Sequence, residues 1–319
     1  GLKYELGELM RILVTGAAGF IGSNLAEALL RRGDAVVGLD NFNDYYDPGI
    51  KRRNLARAAG HPQFTLWERD ICDASAVRAV FEVYRPEVVV HLAARAGVRP
   101  SIQDPNLYHR VNVIGSQHIL DACRDFGGPQ LVFASSSSVY GGSERVPFRE
   151  DDPVARPISP YAATKRMNEL QAHVYSHLYG LRVTMLRFFT VYGPRQRPDM
   201  AIHKFARAIL DGRPVTMYGD GSSRRDYTYI DDIISGVLAA IDHPRPYDIF
   251  NLGESRTVSL SELIGLLESV LGRRAVIDRQ PPQPGDVPMT CADITHARTV
   301  LGWEPCTPVE EGLRHFAEW

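Results

Sequence analysis

A short apolar run, Arg11-Ile12-Leu13-Val14-Thr15, feeds directly into Gly16-Ala17-Ala18-Gly19-Phe20-Ile21-Gly22. Three glycines spaced by three, between a strand and an amphipathic stretch, leave few folds open. Gly16 permits a tight turn, Gly19 lets a backbone approach a pyrophosphate, and Gly22 allows a helix to pack closely on a sheet. The spacing is Gly-x-x-Gly-x-x-Gly and not the simpler Gly-x-Gly-x-x-Gly fingerprint. The pattern predicts a helix over about 23–32, closed by Gly33, and a second strand over 35–39 that ends at Asp40. An acid at that place can accept hydrogen bonds from an adenosine ribose and repels a 2′-phosphate, which selects NAD over NADP. The alternative is that Asp40 only caps a turn.

Further apolar runs at 64–68, 88–92, 131–134, 184–188 and 249–252 read as strands. Helical patterns lie between them at 74–84, 111–126, 161–179 and 200–210. Alternating β and α segments predict a doubly wound parallel sheet of Rossmann type, an α/β fold. Asp70 and Ile71 follow the third strand and suit contact with adenine. Leu92, Ala93 and Ala94 end the fourth strand with small side chains, against which a cofactor can lie. After about residue 188, loops rich in Gly, Pro and Arg appear at 192–199, 219–226 and 280–287. They predict a smaller C-terminal substrate lobe built from 188–227 and 251–319. The dinucleotide-binding domain then spans 10–187, with 228–250 returning to it.

The 319 residues carry a formal net charge of −2 and 44% hydrophobic residues, so a packed core is feasible and a nucleic-acid partner is not indicated. No apolar run approaches the ~20 residues that span a bilayer. The four cysteines, Cys72, Cys123, Cys291 and Cys306, are widely spaced, which argues for reduced thiols and a cytosolic protein and against a metal site. Residues 1–9 precede Met10 and read as an extension without a part in function.

Tyr161 and Lys165 sit four apart at the start of the 161–179 helix, on one face. A phenol titrates near pH ~10, and a neighbouring cation lowers that value by stabilising the phenolate. The pair therefore reads as a general base for a substrate hydroxyl. The run Ser135-Ser136-Ser137-Ser138 ends the strand at 131–134, so a hydroxyl can face Tyr161 and share its proton; the alternative is a set of capping serines.

The Gly-rich opening, the serine-rich strand end and Tyr-x-x-x-Lys together resemble the extended short-chain dehydrogenase/reductase family, from Met10 onward. Within it, the stretches Asp40-Asn41-Phe42-Asn43-Asp44-Tyr45-Tyr46-Asp47, Ala94-Arg95-Ala96-Gly97-Val98-Arg99-Pro100-Ser101 and the run from Arg187 to Met200 are similar to UDP-glucuronate 4-epimerases. The resemblance implies Ser136 as catalytic hydroxyl, Tyr161 as base, and Lys165 on the nicotinamide ribose, lowering the pKa of Tyr161. It implies that Phe20, Ile21, Asn41 and Asn43 join the NAD contacts. Arg225 matches a diphosphate-binding arginine, for which bidentate geometry is apt; the alternative is a salt bridge to Asp226 or Asp231. Thr216 and Tyr218 match uracil contacts through their backbone, and Asp286 lies in the loop near the uridine ribose. Gln283 stands where many such epimerases carry Arg.

In related dehydratases the two positions after the catalytic hydroxyl resemble Asp-Glu, and in decarboxylases the second is Glu. Here they are Ser137 and Ser138, which cannot act as carboxylic acid or base near neutral pH. The expected reaction is therefore 4-epimerisation of a UDP-sugar through a 4-keto intermediate. A uronate intermediate is a β-keto acid prone to lose carbon dioxide, and donors that hold its carboxylate charged raise that barrier. Ser137, Ser138 and Thr190 are expected to do so, with Arg99, Arg195 or Arg197. The alternatives are a neutral UDP-sugar epimerase and, behind it, a decarboxylase. By the same resemblance, the helices at 111–126 and 161–179 form a homodimer interface.

Overall fold

The computed structural model describes residues 9–283 and 286–319. The described residues form thirteen strands: β1 Arg11–Thr15, β2 Ala35–Asp40, β3 Phe64–Glu68, β4 Val88–His91, β5 Gln130–Ser136, β6 Val183–Phe188, β7 Thr190–Tyr192, β8 Pro214–Tyr218, β9 Arg224–Arg225, β10 Tyr227–Tyr229, β11 Tyr247–Leu252, β12 Val258–Ser259 and β13 Val276–Gln280. Seven of them form one sheet in the order β11-β6-β5-β4-β1-β2-β3. Every pairing in it is parallel. The order reverses between β1 and β4, so a crevice opens at the carboxyl ends of these two strands.

Successive residues of a strand face opposite sides of the sheet. Ile12, Val14, Val36, Val90 and Val132 pack on one side with Leu25 and Leu29 of the Phe20–Arg32 helix and with Ile233 and Val237. Leu13, Val37, Val89, Leu131 and Phe133 pack on the other with Val80, Phe81, Ile119 and Ala172. Burial on both faces explains why the strands read as continuous apolar runs and not as alternating patterns.

The Pro160–Tyr179 helix starts where sequence places a cap and a proline: the Ser159 hydroxyl accepts from the Ala162 N–H at 3.1 Å, and Pro160 fills the first turn. Gly180, in the left-handed region at φ 67°, ends it. Beyond β6, three small sheets carry the rest: β7 with β10, β9 with β12, and β8 with β13. The expected helix at 111–126 divides, with a π-helical turn over His109–Ile114 before an α-helix over Gly115–Asp125.

Candidate active site

One cavity of about 1000 Å³ lies in the crevice at the carboxyl ends of the strands. Its floor is the first turn of the Phe20–Arg32 helix, which has no side-chain cap, so its leading N–H groups are available to an anion. Gly16 has φ +68°, and a Cβ there would stand 2.9 Å from the Ala93 nitrogen. A Cβ on Gly22 would stand 2.0 Å from the Gly16 carbonyl oxygen. These two glycines are required by the fold itself. Gly19 is different: its φ is −75°, and the closest atom a Cβ would meet is 3.3 Å away. Its bareness faces the cavity and suits a pyrophosphate laid on the backbone.

Asp40 serves both readings given above. Its carboxylate accepts from the Ala18 N–H at 2.9 Å and the Phe42 N–H at 2.8 Å, bracing the glycine turn. It also lines the cavity, and a carboxylate has further lone pairs for a ribose. Asn41 donates to Asp70 at 3.3 Å; Asp70 accepts from the Cys72 N–H; and Ile71 stands beside them on the wall. Leu92, Ala93 and Ala94 line the opposite side. They are held by Thr15, whose hydroxyl oxygen accepts from the Leu92 and Ala93 N–H groups at 3.0 and 3.1 Å. That hydroxyl meets His91, which is fully enclosed with its pKa pushed down to about 3, so it is a neutral brace and not an acid.

At the inner end, Ser136, Tyr161 and Lys165 share the cavity wall. The Ser136 hydroxyl neighbours the phenol of Tyr161 and favours its ionised form. Ser136 also accepts from the Ser138 N–H at 3.1 Å and from the Ser138 hydroxyl at 2.9 Å, so Ser138 orients it. Lys165 donates to the Ala134 carbonyl at 3.0 Å, and burial pulls its pKa down to about 8. One expectation is corrected here. Burial raises the Tyr161 pKa, and the groups that oppose this are Ser136 and Arg197, not Lys165. Lys165 sits 6.0 Å from the Tyr161 ring centroid with its ammonium turned to the strand end.

Behind the serines lies a buried ion pair. Glu169, one turn beyond Lys165, receives two bonds from Arg187 on β6, at 2.8 and 2.9 Å, and one from the Ser135 hydroxyl at 2.7 Å. Arg187 also donates to the Tyr140 hydroxyl at 2.9 Å, and Tyr140 donates to Asn251 at 2.6 Å. This network ties the helix carrying Tyr161 to the strand end carrying Ser136.

The outer end gathers Arg99, Ser137, Ser138, Thr190, Arg197, Arg225 and Asp286 on the same cavity. Arg197 is paired with Asp199 at 3.0 and 3.1 Å and acts electrostatically on Tyr161. Arg225 has no carboxylate partner among the described residues. The carboxylate of Asp226 is instead taken by the N–H groups of Glu254, Ser255 and Ala292 and by the Thr228 hydroxyl, so the salt-bridge alternative for Arg225 is not realised. Arg195 is a second correction: it points away and pairs with Glu27 at 2.7 Å, in a separate cavity. The sequence of the loop does not show that Arg195 and Arg197 diverge, because the turn depends on Gly193 at φ +139° and Arg195 at φ +72°. Thr216 and Tyr218 are not part of the cavity lining; the guanidinium of Arg99, which is, lies 5.2 Å from the Tyr218 ring centroid. Gln283 and Asp286 are described, whereas Pro284 and Gly285 between them lie outside the described residues.

Sequence reasoning missed Lys51 and Arg95. Lys51 donates to the Asn43 carbonyl at 2.7 Å and its side-chain oxygen at 3.0 Å, and Arg95 reaches that same side-chain oxygen at 3.3 Å. Asn43 is thereby fixed on the cavity rim. The signal was present: Asp47-Pro48 is a helix start, and a helix at Pro48–Asn54 turns Lys51 inward.

A nucleotide cradle at a parallel-sheet switch point, with Ser, Tyr and Lys at its inner end, defines a class of dinucleotide-dependent enzymes that work on hydroxyl groups. The chain belongs to the NAD dependent epimerase/dehydratase family, whose model matches residues 12–253. It is 44% identical over 308 residues to a UDP-glucuronate 4-epimerase of Thermodesulfobacterium geofontis, covering 96% of this chain and 95% of that one. A UDP-glucuronic acid 4-epimerase from Bacillus cereus, solved with UDP-glucuronic acid and NAD, superposes with a TM-score of 0.92 at 37% identity, covering 97% and 98% of the two chains. A UDP-glucose 4-epimerase from Thermotoga maritima, solved with UDP-glucose, superposes at 0.90 with 35% identity, covering the same shares.

Proposed function

We propose that this chain is an NAD-dependent isomerase that interconverts UDP-glucuronate and UDP-galacturonate by inverting carbon 4. The observation that carries this reading is the grouping of Ser136, Tyr161 and Lys165 beside a cavity wall where Ser137 and Ser138 stand in place of an acid–base pair. The similar uronate epimerases support it, as does the arginine-lined outer end.

When bound, NAD supplies a hydride acceptor at carbon 4, a donor for the return step, and a positive charge near the phenol. Gly16, Gly19 and Gly22 with the uncapped helix start would hold its pyrophosphate, Asp40 its adenosine ribose, and Lys165 its nicotinamide ribose. Tyr161 takes the carbon-4 hydroxyl proton, through or beside the neighbouring Ser136 hydroxyl, and later returns it. Arg225 anchors the diphosphate while the sugar turns over. Ser137 and Thr190, with Ser138 once its hydroxyl turns from Ser136, keep the uronate carboxylate solvated by hydrogen bonds, with Arg197 as a cation close by. Arg99 closes the outer rim.

Residues 10–187 with 228–250 act as the NAD-binding unit, and 188–227 with 251–319 as the sugar-nucleotide lobe. The working form is a homodimer in the cytosol. Met167, Leu170, Val174 and Leu178 support the dimer: they recur at helical spacing on one face of the Pro160–Tyr179 helix and are 40–61% exposed. Four free thiols favour a reducing compartment. Among the described residues, no helix is long and apolar enough to cross a membrane.

The competing substrate is neutral UDP-glucose, as in the Thermotoga maritima relative. Initial rates on the two sugars separate them. A kcat/KM at least about tenfold higher for the uronate is expected, since a site built for a charged group rejects an analogue that leaves its donors unpaired. A preference for UDP-glucose would overturn the assignment.

A further inference from the structure

Of the two arginines in the 192–199 loop, Arg197 lines the active cavity and Arg195 does not. It enters a second cavity of about 570 Å³, between the Phe20–Arg32 helix, the Pro48–Asn54 helix with the turn after it, and the start of the Ile230–Asp242 helix. Four guanidinium groups, Arg31, Arg53, Arg57 and Arg195, line it against two side-chain carboxylates, Glu27 and Asp231, with Trp319 also on its wall. Glu27 serves Arg195 at 2.7 Å and Arg31 at 3.9 Å. Arg53 and Arg57 have no ion pair among the described residues. The second guanidinium nitrogen of Arg195, Nη1, is buried and has no hydrogen-bond partner among them. A buried donor without a partner is costly, and four guanidinium groups on one cavity wall, three of them on exposed residues, outnumber its two side-chain carboxylates and leave a positive field.

We infer that this cavity is a second ligand site, for a phosphate-bearing anion, and that its occupation is coupled to the active cavity through the Gly193–Arg197 loop. Arginine forks match phosphoryl oxygens two at a time, and an anion between Arg53, Arg57 and Arg195 would supply the acceptor that Arg195 Nη1 lacks. The coupling follows from connectivity. Pro194 is bound through its carbonyl by Asn24 at 3.5 Å, Arg195 by Glu27, and two residues on, Arg197 faces Tyr161. Gly193 and Arg195 both hold positive φ, so the loop is a tight link in which a shift of Arg195 is passed to Arg197. An anion that draws Arg195 from Glu27 therefore moves the cation beside the catalytic phenol.

The test uses the NAD-loaded protein and inorganic pyrophosphate as probe. Equilibrium dialysis is run with saturating UDP, which fills any diphosphate site in the active cavity. One pyrophosphate site per chain should remain. The double variant R53A/R57A should bind it roughly tenfold or more weakly, because each lost charge-assisted hydrogen bond is substantial. Its circular dichroism and its turnover without pyrophosphate should match the parent. Pyrophosphate should also change the KM for UDP-glucuronate severalfold in the parent and not in the variant. Complete displacement by UDP, no binding, or equal binding by both proteins would overturn the site. Binding with an unchanged KM would overturn the coupling. The dialysis needs no turnover, so its outcome is independent of the proposed reaction.

Discussion

In the proposed reaction Tyr161 carries the chemistry, and burial and two neighbours act on its phenol. Burial pushes its pKa up, while the Ser136 hydroxyl and the Arg197 charge pull it down. In the NAD-free protein the phenol should therefore titrate above its usual value. R197A should raise it further, since it deletes a stabilising charge and leaves Asp199 without its partner. A difference ultraviolet titration against Y161F reads this directly, and a lower value in R197A would contradict it. Y161F itself should lower kcat by roughly 100- to 10,000-fold, the span of general acid–base catalysis, with UDP binding unchanged. Ser138 is the residue that separates epimerisation from its relatives. S138E places a carboxylate beside Ser136 and should weaken uronate binding by like-charge repulsion, while UDP-glucose binding falls much less; equal effects on the two sugars would remove Ser138 from the carboxylate site.

Among the elements, the Pro160–Tyr179 helix and β6 are kept in register by Glu169 and Arg187, both almost fully enclosed. Removing Arg187 leaves the enclosed Glu169 carboxylate with only the half-buried Arg166, at 3.0 Å, as its cation. R187M should therefore cost about 3–5 kcal/mol in chemical denaturation, and E169Q/R187M much less than the sum of the single changes. The Glu254 carboxyl is pushed up to about 8, first by burial and then by Asp232 and Asp226. The folded chain thus keeps a proton that the unfolded chain releases near its ordinary value, so this group makes stability fall as pH rises from about 4.5 to 8 and level off above. E254Q should flatten that part of the melting-temperature profile. An unchanged slope would show that Glu254 is ionised in the folded state.

These elements also mark how far the sequence could be read. The glycine turn, the parallel strands and the Tyr161 helix were legible, because each has its own local signature in strain, apolar continuity or capping. The Glu169–Arg187 pair was not: its partners are 18 residues apart on two elements, and neither carries a local mark of burial. Arg195 was read into the wrong cavity since a turn with two positive φ values reverses direction within three residues. Thr216 and Tyr218 were carried over by resemblance, and the strand that holds them pairs with β13 outside the cavity lining.

At the scale of the whole molecule, the exposed apolar stripe on the Pro160–Tyr179 helix runs along the back of the element that carries Tyr161 and Lys165. Its burial against a second copy would brace the catalytic helix from outside. The proposed dimer predicts that the parent sediments as a dimer and L170E/V174E as a monomer with lower kcat, whereas a variant that still sediments as the parent does would place the interface elsewhere. The central claim is that one site oxidises carbon 4, reverses the face and reduces it again, without loss of the uronate carboxylate. The direct measurement is NMR of products from UDP-glucuronate incubated with the purified protein and no added NAD. The account predicts UDP-galacturonate alone, formed with cofactor retained by the chain. UDP-xylose or a 4-keto pentose would contradict it, because Ser137, Ser138 and Thr190 would then have failed to protect the carboxylate.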